Sequence, residues 1–492
     1  MTLRAMLLAV AALFPASSAA AADAPKLNVL YVVADDLRAD LGCYGGPAKT
    51  PTLDALAARG VRFANAYCQQ AVCNPSRSSF LTGRRPDDLR LWNNGTHFRE
   101  KNPDVVTLPL WFKEQGYVTR GVGKIFHNWH TKEKGDRRSW SADEFLHYAN
   151  HGDDVPKVKG EPPPNLAGKY DRTYGAAPLC ECRDVPDDAY YDGSVADEAV
   201  RVLGEVKDKP FFLAVGFWKP HAPFNAPKKY WDLYDRDKLP AFNSARPKAA
   251  PEVAFHDGRE LRGVPPKQIT FTREQVAEIR HGYLANISYL DAQLAKVLAA
   301  VERHGLGGNT VVVFHSDHGY HLGEHDLWAK TSNFEFDARV PMIVAPPKCP
   351  RPGKTAAGPV ELIDVFPTVC DLAGVRQPDG LAGATLARVI ADPDKFVKDA
   401  AFTQHPRPAY FDRTPKGVPD AMGYSVRTAA VRYSEWRDWE TGKLIAAELY
   451  DHARDPNELA NRIADPPDAK ALAAAKAALH SQFPPNTPPA KR

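Results

Sequence analysis

Leu27-Asn28-Val29-Leu30-Tyr31-Val32-Val33-Ala34-Asp35-Asp36 is a run of apolar, largely β-branched residues that stops at two adjacent acids. Its length suits a strand, and its lack of alternation means that both faces are buried, as in a parallel sheet covered by helices on both sides. Three more apolar runs deliver polar residues at their C-terminal ends. Residues 117–122 lead to Lys124 and His127, residues 211–217 to Lys219 and His221, and residues 310–315 to Asp317 and His318. Helical stretches lie between them: residues 51–59, stopped by Gly60; residues 109–115, capped by Thr107 and stopped by Gly116; and residues 272–303, before Gly305. Alternating strands and helices predict an α/β fold with a large, mixed, mainly parallel sheet flanked by helices. Sites in such sheets gather beyond the carboxyl ends of the strands, so all four polar groups can meet.

The 492 residues suffice for a large domain and a smaller companion. The main domain is expected over residues 26–395. Beyond a helix expected over 361–373, residues 422–436 alternate as a strand does, 443–450 can pair with them, and 468–483 form an alanine-rich helix. This predicts a smaller α+β domain over 396–485 and a loose tail over 486–492. Residues 1–22 carry one arginine, an apolar run too short to span a bilayer, and then small residues. They read as a cleaved secretory signal, so the protein is expected to be exported, periplasmic or secreted, with no stable membrane insertion.

Charged residues make up 25% of the chain and the formal net charge is +3, too balanced for a nucleic-acid binder held by a basic face. Residues 131–186 and 241–268 are irregular and rich in Pro, Gly and charge, as loops that border a site are. Asp35 and Asp36, with Asp317 and His318, place acids at the ends of two buried strands, which is costly unless something positive neutralises them. A divalent cation does so. The oxygen-rich donors favour calcium or magnesium over zinc. An isolated Asp-Asp pair more often caps a helix and meets solvent, but two such clusters weaken that reading.

Cys73-Asn74-Pro75-Ser76-Arg77, continuing as SSFLTGRRP to Pro86, places a thiol at the start of a helix, with Asn74 expected to cap it and Pro75 to open it. The segment resembles the signature of type I sulfatases, members of the alkaline phosphatase superfamily, in which this cysteine is oxidised to formylglycine by a formylglycine-generating enzyme. The resemblance implies calcium held by Asp35, Asp36, the modified Cys73, Asp317 and His318. Many members carry Asn or Gln where this chain has His318, and a histidine there is similar to the iduronate-2-sulfatase branch. VGKIFH (122–127), KPHAPF (219–224), LGEHDLWAKTSNFEFDARVP (322–341), MGYSVRT (422–428) and ELYDHARDPNELAN (448–461) extend that similarity into the second domain.

Under this resemblance Arg77, Lys124 and Lys330 hold the sulfate, His221 with Lys330 protonates the departing sugar oxygen, and His127 is the base that restores the aldehyde. Lys124, His221 and Lys330 are then the substrate-binding residues as well. Of the seven cysteines, the six besides Cys73 suit an oxidising compartment without specifying a pairing, and Cys180-x-Cys182 reads as structural. Trp92, His97 and residues 169–184 either line a sugar subsite or pack. The implied activity is hydrolysis of sulfate esters on a uronate-containing saccharide. Alternatives are another sugar or aryl sulfate, a metal-dependent phospho- or phosphonate monoester, and an inactive glycan-binding homologue.

Overall fold

The computed structural model describes residues 26–127, 133–145, 179–256, 259–262 and 271–489. The expected signal segment lies outside them. Strand β1, Asn28–Asp35, is buried at every position. Val29, Tyr31 and Val33 enter one apolar layer and Leu30, Val32 and Ala34 the other, which is why the run shows no polar alternation.

The other strands of this sheet are β2 (Val61–Tyr67), β3 (Val118–Gly123), β4 (Phe211–Pro220), β5 (Thr310–Ser316), β6 (Arg339–Ala345) and β7 (Lys354–Glu361). Their order is β7-β2-β6-β5-β1-β4-β3. Only β6 runs against its neighbours, so the sheet is mixed and mainly parallel. Helices α1 (Pro51–Arg59), α4 (Tyr191–Val206) and α5 (Arg273–Arg303) cover one face, and α2 (Cys73–Thr82), α3 (Leu108–Glu114) and α6 (Val365–Ala373) the other. Thr107 caps α3 through Leu110 N, and Thr272 caps α5 through Gln275 N. The helix expected from residue 361 starts later, because Glu361 ends β7 and a single 3-10 turn, Leu362–Asp364, intervenes.

A second, antiparallel sheet contains β8 (Ala400–Arg407), β9 (Ala421–Thr428), β10 (Val431–Asp438) and β11 (Leu444–Asp451) in sequential order. Helix α7 (Ala469–Gln482), capped by Asp468, packs on it through Ala475 and Leu479. The single strand expected over 422–436 is two strands of a hairpin. Its turn carries no Gly, Pro or Asn; Thr428 Oγ1 instead accepts from Val431 N at 3.2 Å, so the break is invisible to residue type. At the tail, Thr487 lies against the Gly442 turn, while residues 490–492 are outside the described set.

Buried polar links join the two sheets. Arg432 pairs with Glu335 and with Glu458, and Asp87 accepts from Trp92 Nε1, Gln404 Nε2 and Tyr424 OH. No helix among the described residues is long and apolar enough to cross a membrane.

Candidate active site

The strand order decides the site. The parallel strands β5, β1, β4 and β3 are consecutive neighbours, so their carboxyl ends bring Asp317 and His318, Asp35 and Asp36, His221, and Lys124 into one row. Helix α2 closes the row. All of its residues are buried, and Cys73 is its first residue after the extended Val72. Asn74 does not cap the helix as expected. Its side chain donates to the carbonyls of Asn93 and Thr96 at 2.9 and 2.7 Å, tying a loop to the helix start.

Cys73 Sγ stands 3.5 Å from Asp35 Oδ1, 3.4 Å from His318 Nε2 and 3.8 Å from Lys124 Nζ. Lys124 Nζ also bonds Asp35 Oδ2. Arg77 Nε donates to Asp317 Oδ2 at 2.9 Å, its Nη2 lies 3.4 Å from Asp35 Oδ1, and Nη1 donates to the Lys124 and Ile125 carbonyls. Asp36 adopts a left-handed φ of 63° and its N–H reaches Asp317 Oδ1 at 3.2 Å. Such a conformation is uncommon outside glycine, and here Tyr283 OH helps to hold it by donating to the Asp36 carbonyl while accepting from Arg38 N. Lys330 Nζ contacts both Asp36 oxygens at 2.9 and 3.1 Å, and His221 Nε2 lies 3.7 Å from Asp36 Oδ2. His127 is buried three residues beyond Lys124 on the same strand-end segment.

A family model described as Sulfatase matches residues 27–375, and one described as N-sulphoglucosamine sulphohydrolase, C-terminal, matches residues 323–483. The chain belongs to the sulfatase family. As a sulfatase it is a sulfuric ester hydrolase. It is 35% identical to iduronate 2-sulfatase of Mus musculus over 87% of this chain and 89% of that protein. A structure of a protein in complex with its substrate D-glucosamine-2-N,6-O-disulfate superposes with a TM-score of 0.73 at 21% identity, covering 95% of this chain and all of the other. A phosphonate monoester hydrolase from Silicibacter pomeroyi shares the fold as well, with a TM-score of 0.72 at 22% identity over 94% and 96% of the two chains.

The electrostatics of this sulfatase fit a bound cation. Atoms of Asp35, Asp36, Cys73 and His318 lie within 4.8 Å of one another, all buried. Burial raises Asp36 well above the ordinary carboxylate range, and Asp35, Glu260 and Asp317 add to this against Lys330. Asp317 is raised by burial and by Asp35, with Arg77 opposing. Burial pushes Asp35 up too, but Lys124, His221, Arg77 and Lys330 outweigh it and hold this carboxyl well below its usual value. A divalent cation relieves the repulsion that two of the three acids bear. Burial also lowers His318; its Nδ1 donates to the Gly319 carbonyl at 3.0 Å, so the Nε2 lone pair faces Cys73 and Asp317 as a ligand's would. The Cys73 thiol is pushed well up by burial and by Asp35.

Two polar neighbours were not singled out as residues by the sequence. Glu260 Oε1 lies 2.7 Å from Lys330 Nζ, and Tyr410 OH donates to Glu260 Oε2 at 2.8 Å. Glu260 falls in the 241–268 stretch whose composition suggested a bordering loop, but Tyr410 comes from a connection in the second sheet with no motif around it. Trp92 and His97 pack: Trp92 meets Trp439 edge-on and bonds Asp87, and His97 caps Arg99 N and reaches the Gly135 carbonyl. Of residues 169–184, those from 169 to 178 lie outside the described set, and Cys180–Arg183 pairs with Phe224–Pro227. All seven cysteines are free thiols.

Proposed function

We propose that this sulfatase removes sulfate from a uronate-containing saccharide, most like 2-sulfated iduronate, as an exported protein whose Cys73 has become formylglycine. The observation that carries the reading is the surrounding of Cys73 Sγ, which has Asp35, His318 and Lys124 within 3.8 Å. The sulfur marks the place of an oxygen on the converted residue.

One hydroxyl of formylglycine hydrate attacks sulfur. Asp35, Asp36, residue 73, Asp317 and His318 would hold the calcium, which when bound would supply positive charge at that hydroxyl. Arg77, which the resemblance placed on the sulfate, is assigned instead to keep Asp35 and Asp317 turned toward residue 73, because its buried guanidinium is taken up by those acids and the Lys124 and Ile125 carbonyls. Lys124 and Lys330 bring positive charge to the sulfate oxygens as negative charge spreads over them. As sulfur bonds to the attacking oxygen, its bond to the sugar oxygen breaks, and the sugar oxygen takes a proton from Lys330 or from His221. Burial keeps His221 neutral with Nδ1–H on the Ala222 carbonyl, so it must first gain a proton at Nε2. His127 then takes the proton of the remaining hydroxyl on residue 73, the C–O bond to sulfate breaks, sulfate leaves and the aldehyde is restored. Because Cys73 is 1% exposed, a formylglycine-generating enzyme would act before the chain folds.

Mass spectrometry of the peptide containing Cys73, with a panel of 2-sulfated uronate oligosaccharides, aryl sulfates and aryl phosphates, tests the reading. We expect an aldehyde mass, cleavage of the 2-sulfated uronate, and no turnover by Cys73→Ser. Cleavage of phosphates alone would support the phospho- or phosphonate monoester alternative, and a free thiol without activity would support the glycan-binding one.

A further inference from the structure

We propose that Glu260 sets the charge this site accepts, favouring singly charged esters over doubly charged ones. The inference rests on the sulfatase reading above. Three buried acids of the site have their own cations: Asp35 has Lys124, Asp36 has Lys330 at 2.9 Å, and Asp317 has Arg77 at 2.9 Å. Glu260 is the acid that has to share one of these side-chain cations, the Lys330 ammonium, with Asp36. Its Oε1 shares Lys330 Nζ at 2.7 Å and stands 3.5 Å from His221 Nε2, and its side chain is only 12% exposed. Tyr410 OH fixes the other oxygen, so the carboxylate is aimed rather than loose. Asp36, His221 and Glu260 also have metal-ligand spacing, but the Lys330 ammonium bridges Asp36 and Glu260 and accounts for their approach.

Sulfate and phosphate monoesters share a tetrahedral shape, so shape separates them poorly. Charge does separate them: a sulfate ester carries one negative charge and a phosphate monoester close to two at neutral pH. Lys330 and His221 are the groups we assign to the ester, and Glu260 touches both. A fixed negative charge there penalises the second ester charge by on the order of tenfold to a hundredfold at an effective dielectric of about 20.

The test uses the mature enzyme and three substrates with the same 4-nitrophenolate leaving group: the sulfate, the phenylphosphonate monoester and the phosphate. The phosphonate has the phosphorus of the third and the single charge of the first. We expect Glu260→Gln to raise kcat/KM for the phosphate relative to the sulfate by about tenfold or more, with the phosphonate following the sulfate. Glu260→Asp keeps the charge and should keep the wild-type ratio. Glu260→Ser repeats the charge removal should the glutamine variant be unstable. An unchanged ratio, a phosphonate that rises with the phosphate, or an aspartate variant that behaves like the glutamine one would overturn the assignment while leaving the sulfatase reading intact. Wild-type enzyme that cleaves neither the aryl sulfate nor a 2-sulfated uronate oligosaccharide would overturn both.

Discussion

Arg77 ties the cysteine motif to two of the buried acids of the site. It is fully buried, pairs with Asp317 and Asp35, and donates to two backbone carbonyls beyond β3. Removing one partner of a buried ion network leaves the others uncompensated, which costs far more than an exposed pair is worth. We expect Arg77→Met to lower stability by about 3–5 kcal/mol, read as a fall in melting temperature; a melting temperature equal to wild type would contradict this account. The motif made the residue visible, while its partners were hidden. Asn74 shows the converse, since a residue with a strong capping preference serves a loop instead, because the 93–96 carbonyls lie within its reach.

At the scale of elements, the end of β3 meets the middle of β4 through two glycines. Gly123 has a φ of 78°, and a Cβ on it would meet the Gly216 carbonyl at 2.1 Å; a Cβ on Gly216 would meet the Lys124 carbonyl at 1.9 Å. That close approach places Lys124 beside Asp35. Gly216→Ala must push the Lys124 backbone away, and the same carbonyl accepts from Arg77. We expect it to cost about 1–3 kcal/mol of stability and to lower kcat for the aryl sulfate, with unaltered kinetics sinking the idea. In the second sheet, Glu448 on β11 is buried, accepts from Trp436 Nε1 and Tyr450 OH, and is raised by burial to about 7. The folded state therefore holds a proton that the unfolded state has lost between about pH 4.5 and 7, so stability falls as pH rises through that window and is flat above it. Glu448→Gln should remove this group's part of that fall, about 3 kcal/mol for a fully buried group, and leave the part due to the other raised acids, Asp36 and Asp317 among them. Melting temperatures at pH 5 and pH 8 check it; a variant whose pH dependence matches wild type would refute it. Strand periodicity located these elements, but the hairpin turn after Thr428 was illegible because its geometry rests on the Thr428 hydroxyl, which bonds both the N–H and the carbonyl of Val431.

For the whole molecule, the two sheets and α2 close around acids that repel one another. A divalent cation that binds only the folded chain stabilises it by mass action. Chelation should lower the melting temperature and stop turnover, both restored by added calcium; at calcium a hundredfold above its Kd the difference is about 2.7 kcal/mol. A melting temperature indifferent to chelator would count against the site.

The sequence by itself determined the kinds of chemistry present: buried strands ending in acids, histidines and lysines, and a cysteine motif that opens a helix. These are local properties, encoded in runs, caps and short motifs. Much of the fold class followed from the same signals. Strands β2, β6 and β7 escaped them because small and polar residues interrupt their apolar runs. Only the tertiary structure decided that β1 stands between β4 and β5, that Lys330 shares its ammonium between Asp36 and Glu260, and that Tyr410 reaches in from the second sheet. These are adjacencies between segments tens to hundreds of residues apart. They depend on strand order and on which loop lies over which strand end, and no local pattern of side chains records either one.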